Sequence, residues 1–158
     1  MKIDLTVNGK DLVMDAAPGE TLLELLRREG YKSVKKGCGT GDCGACAVLL
    51  NGRAVNSCLV LAAKASGSAV TTIEGISGDG ELHPVQQAFL DGGAIQCGYC
   101  TPSMVLTTID FLSRNPDPSD DEIRAAIAGN LCRCTGYDKQ VAAIRDAAAR
   151  MRGGPHEA

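Results

Sequence analysis

Ten residues in the first third of the chain, Gly37-Cys38-Gly39-Thr40-Gly41-Asp42-Cys43-Gly44-Ala45-Cys46, carry the strongest signal in the sequence. Their three cysteines follow a C-x4-C-x2-C pattern, which is typical of loops that bind a [2Fe–2S] cluster through thiolates. Four glycines accompany them, and glycine lets a loop approach an anionic cluster closely while its backbone N–H groups point at the sulfurs. The stretch therefore predicts an iron–sulfur site.

The fourth ligand of that site is open from spacing alone. Eleven residues separate Cys58 from Cys46, and a predicted hairpin lies between them. Cys58 is either the fourth thiolate or a free cysteine of the core, because free cysteine is often buried.

The same stretch matches G-x-G-x-x-G at residues 39–44, a pattern found in dinucleotide-binding loops. Such a loop follows a strand and opens a helix. Residues 34–36, Val-Lys-Lys, do not read as a strand, and Cys43 already belongs to the cysteine pattern. We therefore do not expect a nucleotide site here.

Four further cysteines, Cys97, Cys100, Cys132 and Cys134, form a second set with the pattern C-x2-C-x31-C-x-C. Four thiolates also suit structural zinc, but zinc ribbons use two C-x2-C pairs about 15–20 residues apart. Cys100 and Cys134 each directly precede a predicted helix start, so two positive helix ends would face this set. That placement favours an anionic iron–sulfur centre, with zinc as the alternative.

Composition places these cysteines in an ordinary globular chain. The 158 residues are 44% hydrophobic and 3% aromatic, and 16 basic against 19 acidic residues give a formal charge of −3. That balance offers no electrostatic reason to expect nucleic-acid binding.

The sequence lacks a signal-peptide pattern and any apolar run of roughly 18 residues that would predict a membrane segment. We therefore expect a cytoplasmic protein, in which metal ligation by the eight cysteines is favoured over disulfides.

The first half predicts a small α+β unit. Two pairs, Asn8-Gly9 and Asn51-Gly52, lie between apolar runs and predict β-hairpins with type I′ turns. Between them, Thr21-Leu22-Leu23-Glu24 is a capping-box pattern at the start of a leucine-rich helix. Residues 70–73 predict a last strand. Strands that enclose one helix are typical of a small α+β domain.

The second half reads as helical. Helix starts are indicated at Pro84, at Thr101-Pro102, at the capping box 119–122 and at a similar pattern that begins with Thr135. Four short antiparallel helices of this kind predict a four-helix bundle.

Two domains follow from this change of pattern. We expect them at residues 1–75 and 81–152, joined by a glycine-rich linker at 76–80 and followed by a flexible tail at 153–158. Each half holds four of the cysteines, and domains of this size often need such a covalent or metal staple.

Four stretches together resemble the small [2Fe–2S] subunit of the molybdenum hydroxylases, the family of xanthine oxidase, aldehyde oxidoreductase and carbon monoxide dehydrogenase. They are residues 37–46, Asn56-Ser57-Cys58, Gln96-Cys97-Gly98-Tyr99-Cys100-Thr101-Pro102 and Gly129-Asn130-Leu131-Cys132-Arg133-Cys134-Thr135-Gly136-Tyr137. The resemblance spans nearly the whole chain. Ser103 departs from it, since the family usually has glycine after Thr-Pro.

The resemblance implies a ferredoxin-like β-grasp domain followed by a helical domain, each with one [2Fe–2S] cluster. The implied ligands are Cys38, Cys43, Cys46 and Cys58 for the first cluster and Cys97, Cys100, Cys132 and Cys134 for the second. It also implies that Gln96 and Cys134 contact the molybdopterin cofactor of a separate large subunit.

The function implied by the resemblance is an electron relay without catalytic residues of its own. Single electrons would pass from the large subunit through the second cluster and then the first, to FAD in a further subunit or to a cytochrome or other external acceptor. The oxidised substrate would be an aldehyde, carbon monoxide, a purine or an N-heterocycle. Two alternatives are a free-standing two-cluster carrier and a zinc-stapled interaction module.

Overall fold

The structure is a computed structural model and describes residues 1–78 and 80–153. Asp79 of the predicted linker lies outside the described residues, and so does the predicted tail from residue 154 onward.

Over these described residues, the chain has an α+β fold with a five-stranded mixed sheet and five α-helices. The strands are β1 (Lys2–Val7), β2 (Lys10–Asp15), β3 (Ala47–Leu50), β4 (Arg53–Asn56) and β5 (Ser68–Thr71). The helices are α1 (Leu22–Arg28), α2 (Pro84–Asp91), α3 (Thr101–Arg114), α4 (Asp120–Ile127) and α5 (Asp138–Arg152). Three short 3₁₀ helices span Ser57–Leu59, Ala62–Ala65 and Ile73–Gly75.

The sheet has the strand order β2-β1-β5-β3-β4, with β1 and β5 parallel and the other neighbours antiparallel. Both predicted hairpins are confirmed. Asn8 and Gly9 have φ values of 51° and 77°, and Asn51 and Gly52 have 49° and 80°, as a type I′ turn requires. The local Asn-Gly chemistry therefore fixes the two strand pairs that border the sheet.

The last strand ends two residues earlier than predicted. β5 stops at Thr71, where the Asn8 side chain takes over as the hydrogen-bond partner of Thr72 through Oδ1 and Nδ2, at 2.9 Å each. The chain then turns into a 3₁₀ helix, and Ile73 packs against the core of the helical half instead of that of the sheet.

Helix α1 lies over the sheet and begins at the predicted capping box. The Thr21 hydroxyl accepts from the Glu24 N–H, and the Glu24 carboxylate accepts from the Thr21 N–H. Four leucines of the helix are fully buried, and they join the inward-facing residues of β1 in one hydrophobic core. This core belongs to the first half of the chain alone.

The second half contains the four predicted helices around a second core. The start of α5 was predicted wrongly. Thr135 caps no helix, and α5 begins at Asp138, because Tyr137 adopts a left-handed conformation with φ 71° and turns the chain there. Among the described residues, every helix is too short or too polar to cross a membrane.

Helix α3 connects the halves, since it packs against strands β3 and β4. Its buried Asp110 accepts the Ala54 N–H of β4 at 3.1 Å and forms ion pairs with Arg53 at 3.2 Å and Arg114 at 3.1 Å. One carboxylate thus joins an edge strand of the sheet to the helical half.

Two candidate iron–sulfur sites

The first cysteine set is assembled by the loop before β3 and by the β3–β4 hairpin. Cys38 and Cys43 lie in the loop, whereas Cys46 directly precedes β3. The hairpin pairs Ala47 with Asn56, so the residue after β4 returns beside Cys46. Ser57 confirms this closure, since its hydroxyl and N–H both donate to the Cys46 carbonyl. The hairpin register therefore places Cys58 next to Cys46.

The sulfurs of Cys38 and Cys43 accept backbone hydrogen bonds, whereas Cys46 and Cys58 are buried. The N–H groups of Thr40 and Cys43 each donate to Cys38 Sγ at 3.4 Å, and the Cys38 N–H donates to Cys43 Sγ at 3.3 Å. Hydrogen bonds from Thr40, and then from Cys43, lower the pKa of Cys38 to about 6. By contrast, burial and the neighbouring Cys46 thiol raise the pKa of Cys58 to about 11.

The second set comes from two loops of the helical half. Cys97 and Cys100 lie in the loop before α3, where Cys100 is the N-cap residue, and Cys132 and Cys134 lie in the loop between α4 and α5. The second helix does not begin directly after its cysteine as expected, because Cys134 lies four residues before the start of α5. Only α3 presents its N-terminus directly beside a cysteine of the set.

The thiols of this set also contact one another in pairs. Burial, together with a hydrogen bond and charge from Cys132, raises the pKa of Cys100 to about 12. The Tyr99 N–H and the neighbouring Cys134 thiol lower the pKa of Cys97, and the Cys97 thiol raises the pKa of Cys134. Two loops far apart in sequence therefore place four thiols together.

Cys132 differs from its neighbours because polar side chains surround its sulfur. The Thr135 hydroxyl lies 3.0 Å from Cys132 Sγ, and Gln140 Nε2 lies 3.8 Å from it. Burial alone would raise the pKa of Cys132, but hydrogen bonds from Thr135, the Cys134 N–H and Cys100 outweigh it, so this pKa lies below its ordinary value.

The loops that carry the two sets contact each other directly. The Leu131 N–H donates to the Cys43 carbonyl at 2.9 Å, and the buried Asn130 amide donates to the Gly44 carbonyl at 3.3 Å. Gly44 has φ +68°, and a Cβ there would lie 2.2 Å from the Gly129 carbonyl. Glycine is therefore required where the two loops cross. The crossing places Cys43 against Leu131, the residue that precedes Cys132.

The donor chemistry fits two [2Fe–2S] clusters. All eight cysteines are free thiols, and such a cluster is held by four thiolates, two for each iron. Within each set the thiols lie close enough to shift the pKa values of one another, although no three His, Cys, Asp or Glu side chains within residues 1–78 and 80–153 surround a position for one metal ion. A Cβ at Gly37 would lie 2.6 Å from Cys43 Sγ, so glycine is needed there for the loop backbone to approach that sulfur.

Comparison with known proteins matches both halves to cluster-binding families. Residues 5–71 match a 2Fe-2S iron-sulfur cluster binding domain, and residues 72–145 match a [2Fe-2S] binding domain. The nicotinate dehydrogenase small FeS subunit of Eubacterium barkeri is 50% identical over 149 residues, which cover 94% of this chain and 95% of the relative. The xanthine dehydrogenase iron-sulfur-binding subunit of Escherichia coli O157:H7 is 48% identical over 146 residues, covering 91% and 92%. The chain belongs to the iron–sulfur subunit family of the molybdenum hydroxylases.

Solved structures of this family share the whole fold. Quinoline 2-oxidoreductase from Pseudomonas putida 86 superposes with a TM-score of 0.93 at 41% identity, covering 98% of this chain and 97% of that one. The aldehyde oxidoreductase from Desulfovibrio desulfuricans ATCC 27774 gives a TM-score of 0.91, also at 41% identity, and covers 96% of this chain. Only 17% of that longer chain is matched, so the iron–sulfur subunit fold also occurs there within a longer chain.

The family's predicted pterin contacts lie at the second site. Gln96 is exposed and directly precedes Cys97, and the nearby Cys134 thiol lowers the pKa of Cys97. Gln96 and Cys134 are thus neighbours at one surface, and their contact with molybdopterin stays a prediction.

Three polar residues that contact these sites or connect the halves were missed from sequence. Thr135 was interpreted as a helix cap, and Asp110 and Gln140 carried no motif. The signal that could have revealed the last two is the same: each is a polar residue on the apolar face of an amphipathic helix, and both are buried.

Proposed function

We propose that this chain is the electron-transfer subunit of a molybdenum hydroxylase, in which a large molybdopterin-binding subunit oxidises the substrate. Single electrons would leave that subunit through the second cysteine site, cross to the first, and pass to FAD in a further subunit or to a cytochrome or other external acceptor. The names of the relatives and the fold shared with oxidoreductases support this assignment.

The observation that carries the proposal is the direct bonding between the two cysteine loops. The Leu131 N–H donates to the Cys43 carbonyl, and Leu131 is covalently followed by Cys132. A thiolate of one site is therefore linked to a thiolate of the other through covalent bonds and one hydrogen bond of 2.9 Å. A metal site that only stabilises the fold, such as structural zinc, does not need a direct link to a second set of thiols.

The roles of the residues follow from this arrangement. Each bound cluster would supply reversible one-electron chemistry. The thiols of the first set would hold one cluster and those of the second set the other, and deprotonation of the cysteines would accompany loading. The protein fixes their positions through the β3–β4 hairpin and the α3 N-terminus. None of its side chains is assigned as an acid, base or nucleophile.

We also propose the finer organisation that the sequence predicts. Residues 1–75 form the ferredoxin-like β-grasp domain and residues 81–152 the helical domain as a four-helix bundle, and the protein works in the cytoplasm. Gln96 and Cys134 contact the pterin of the large subunit. The exposed side chains of Tyr99 and Leu131, 47% and 56% accessible beside the second site, support docking of another subunit there. An aldehyde, carbon monoxide, a purine or an N-heterocycle is the substrate class.

Single cysteine substitutions in the co-expressed complex test this function. We expect about four irons and four labile sulfides per wild-type chain and two distinct [2Fe–2S] EPR signals on reduction. Cys100→Ser should remove one signal and about half the iron, and Cys43→Ser should remove the other. Either variant should abolish turnover with the terminal acceptor, because the relay is interrupted.

Three results would contradict the assignment. Zinc in place of iron would favour a structural module, and purification without any molybdenum-bearing chain would favour a free-standing carrier. Full turnover in Cys100→Ser, with both EPR signals intact, would show that the second cysteine set does not lie on the electron path.

A further inference from the structure

The sulfur of Cys132 is the point in the second site where side-chain hydrogen bonding is concentrated. Thr135 Oγ1 lies 3.0 Å away and Gln140 Nε2 lies 3.8 Å away, within the longer range of hydrogen bonds to sulfur. Thr135 follows in the same loop, whereas Gln140 reaches the sulfur from the first turns of α5. Two different elements therefore direct polar groups at one cysteine.

The Thr135 hydroxyl is oriented as a donor to that sulfur. A cysteine that binds iron is a thiolate and has no proton to give. The Tyr137 N–H donates to Thr135 Oγ1 at 3.4 Å, which occupies an acceptor position of the hydroxyl and leaves its own proton for Cys132. Tyr137 makes this contact from a left-handed conformation, φ 71°, that is unfavourable for a residue with a side chain. The loop is thus held in a strained shape that aims the hydroxyl at the sulfur.

The Gln140 amide is also oriented by its surroundings. Its side chain is 1% exposed, and Nε2 donates to the Ala94 carbonyl at 3.2 Å. Because a carbonyl only accepts, the NH2 group must face this side, and its second proton is available to Cys132. The other end of the amide, Oε1, meets no hydrogen-bond partner among the described residues. A half-satisfied amide in the core is destabilising, and the contact of its Nε2 with the Cys132 sulfur supplies a role for it.

We propose that Thr135 and Gln140 act through the Cys132 sulfur to raise the reduction potential of the cluster in the helical half. This inference rests on the proposed function, since it requires a [2Fe–2S] cluster at the second site. Reduction adds one negative charge that is shared with the ligand sulfurs, and a donor hydrogen bond stabilises the more negative state more strongly. Removing a donor therefore lowers the potential.

Through these contacts, Thr135 and Gln140 would set the reduction potential of the second cluster without being its ligands. A higher potential makes the second site a better acceptor for electrons that enter there. The contacts involve neither Cys97, which directly follows Gln96, nor Cys134. The potential of the cluster can therefore change while the residues proposed to contact the large subunit, Gln96 and Cys134, stay in place.

An EPR-monitored redox titration of the assembled complex tests the proposal with matched variants. Thr135→Val preserves shape and removes the hydroxyl, and Thr135→Ser preserves the hydroxyl. We expect Thr135→Val to reduce the one-electron equilibrium constant of the second cluster about tenfold, which corresponds to 59 mV. Thr135→Ser should stay near wild type. Gln140→Met, which removes the longer contact, should give a smaller fall in the same direction.

The first cluster provides the internal control, and Cys100→Ser identifies which EPR signal belongs to the second. The proposal is overturned if Thr135→Val and Gln140→Met both keep the wild-type potential. It is equally overturned if Thr135→Ser falls as far as Thr135→Val, or if both clusters shift together. Absence of a second [2Fe–2S] signal in the wild type would instead remove the proposed function, and this inference with it.

Discussion

The two cysteine sites hydrogen-bond their sulfurs by different means. In the first site, the backbone N–H groups of Thr40 and Cys43 donate to Cys38 Sγ at 3.4 Å each, and the Thr40 side chain beside them also lowers the pKa of Cys38. In the second site, the donors to Cys132 include the side chains of Thr135 and Gln140. Backbone donors depend on the conformation of the loop, so they survive most side-chain substitutions but not a change of backbone shape. Side-chain donors can be removed one at a time.

The same contrast appears in how the cysteines are brought together. The register of the β3–β4 hairpin places Cys58 beside Cys46, and both cysteines belong to the hydrophobic core of the sheet half. The second site joins two loops at helix ends, which depend on a few specific contacts such as the hydrogen bond from the Cys132 N–H to the Tyr137 hydroxyl at 2.7 Å. We therefore expect substitutions that disturb the backbone conformation to destabilise the first loop most. Substitutions of the donor side chains should instead change the reduction potential of the second cluster.

The largest expected effect comes from a backbone change where the two loops cross. In Gly44→Ala, the new Cβ would overlap the Gly129 carbonyl at 2.2 Å and crowd Asn130 at 3.0 Å, in addition to the strain of φ +68°. Left-handed strain and overpacking together predict a loss of about 2–5 kcal/mol. Denaturant unfolding, followed by circular dichroism and by cluster absorbance, measures it.

Gly39→Ala is the matched control for that substitution. Gly39 has nearly the same φ, +74°, but a Cβ there meets nothing within 4 Å. It should lose only the strain, about 1–2 kcal/mol. Equal losses in the two variants would show that the crossing of the loops does not depend on close approach at Gly44.

A smaller effect is expected where the sheet and helical halves are joined by Asp110. Asp110→Asn keeps the size of the side chain and removes the charge that pairs with Arg53 and Arg114. Both arginine side chains are about half exposed or more, at 63% and 49%, so solvent screens the pairs. We expect a loss of about 1–2 kcal/mol at neutral pH, mostly from the buried hydrogen bonds. Asp117→Asn is the control, because Asp117 is 81% exposed and its pair with Arg152 should contribute little.

The contribution of Asp110 should depend on pH with a definite sign. Burial raises the pKa of Asp110, but the hydrogen bonds from Arg114 and the Ala54 N–H, with the charge of Arg53, outweigh burial and lower it. A carboxyl with a lowered pKa stabilises the fold above its unfolded pKa of about 3.9 and loses that contribution as the pH falls through the folded value. Wild type and Asp110→Asn should therefore converge in stability below about pH 4. A constant difference across that range would exclude the charge as the cause.

Local chemistry made much of this protein predictable from sequence. Asn-Gly turns and the capping boxes at Thr21 and Ser119 act within a few residues, so both hairpins and helices α1 and α4 were predicted. The grouping of cysteines into two sets of four was predicted from motif spacing and family resemblance. The structure places thiols of each set near one another, and their role as cluster ligands stays a prediction.

Contacts between distant residues could not be predicted in this way. Thr135 follows a helix-cap pattern, but the left-handed Tyr137 delays α5 and turns the hydroxyl toward Cys132. Gly44 meets Asn130 across 86 residues, and no local pattern indicates that approach. Gln140 sits on an apolar helix face that by itself suggests only core packing. In each case the function of the residue depends on a partner that the fold supplies.

The smallest predicted effect compares the same capping chemistry in the two halves. Thr21→Ala removes the cap of α1 in the sheet half, and Ser119→Ala removes the cap of α4 in the helical half. Each should lose about 1 kcal/mol. Because Leu131, Asn130 and Asp110 bond the halves together, we expect both variants to shift the loss of both EPR signals to lower denaturant by a similar amount. If Thr21→Ala instead shifted only the first cluster and Ser119→Ala only the second, the halves would unfold independently, and the contacts between them would serve electron transfer without contributing to stability.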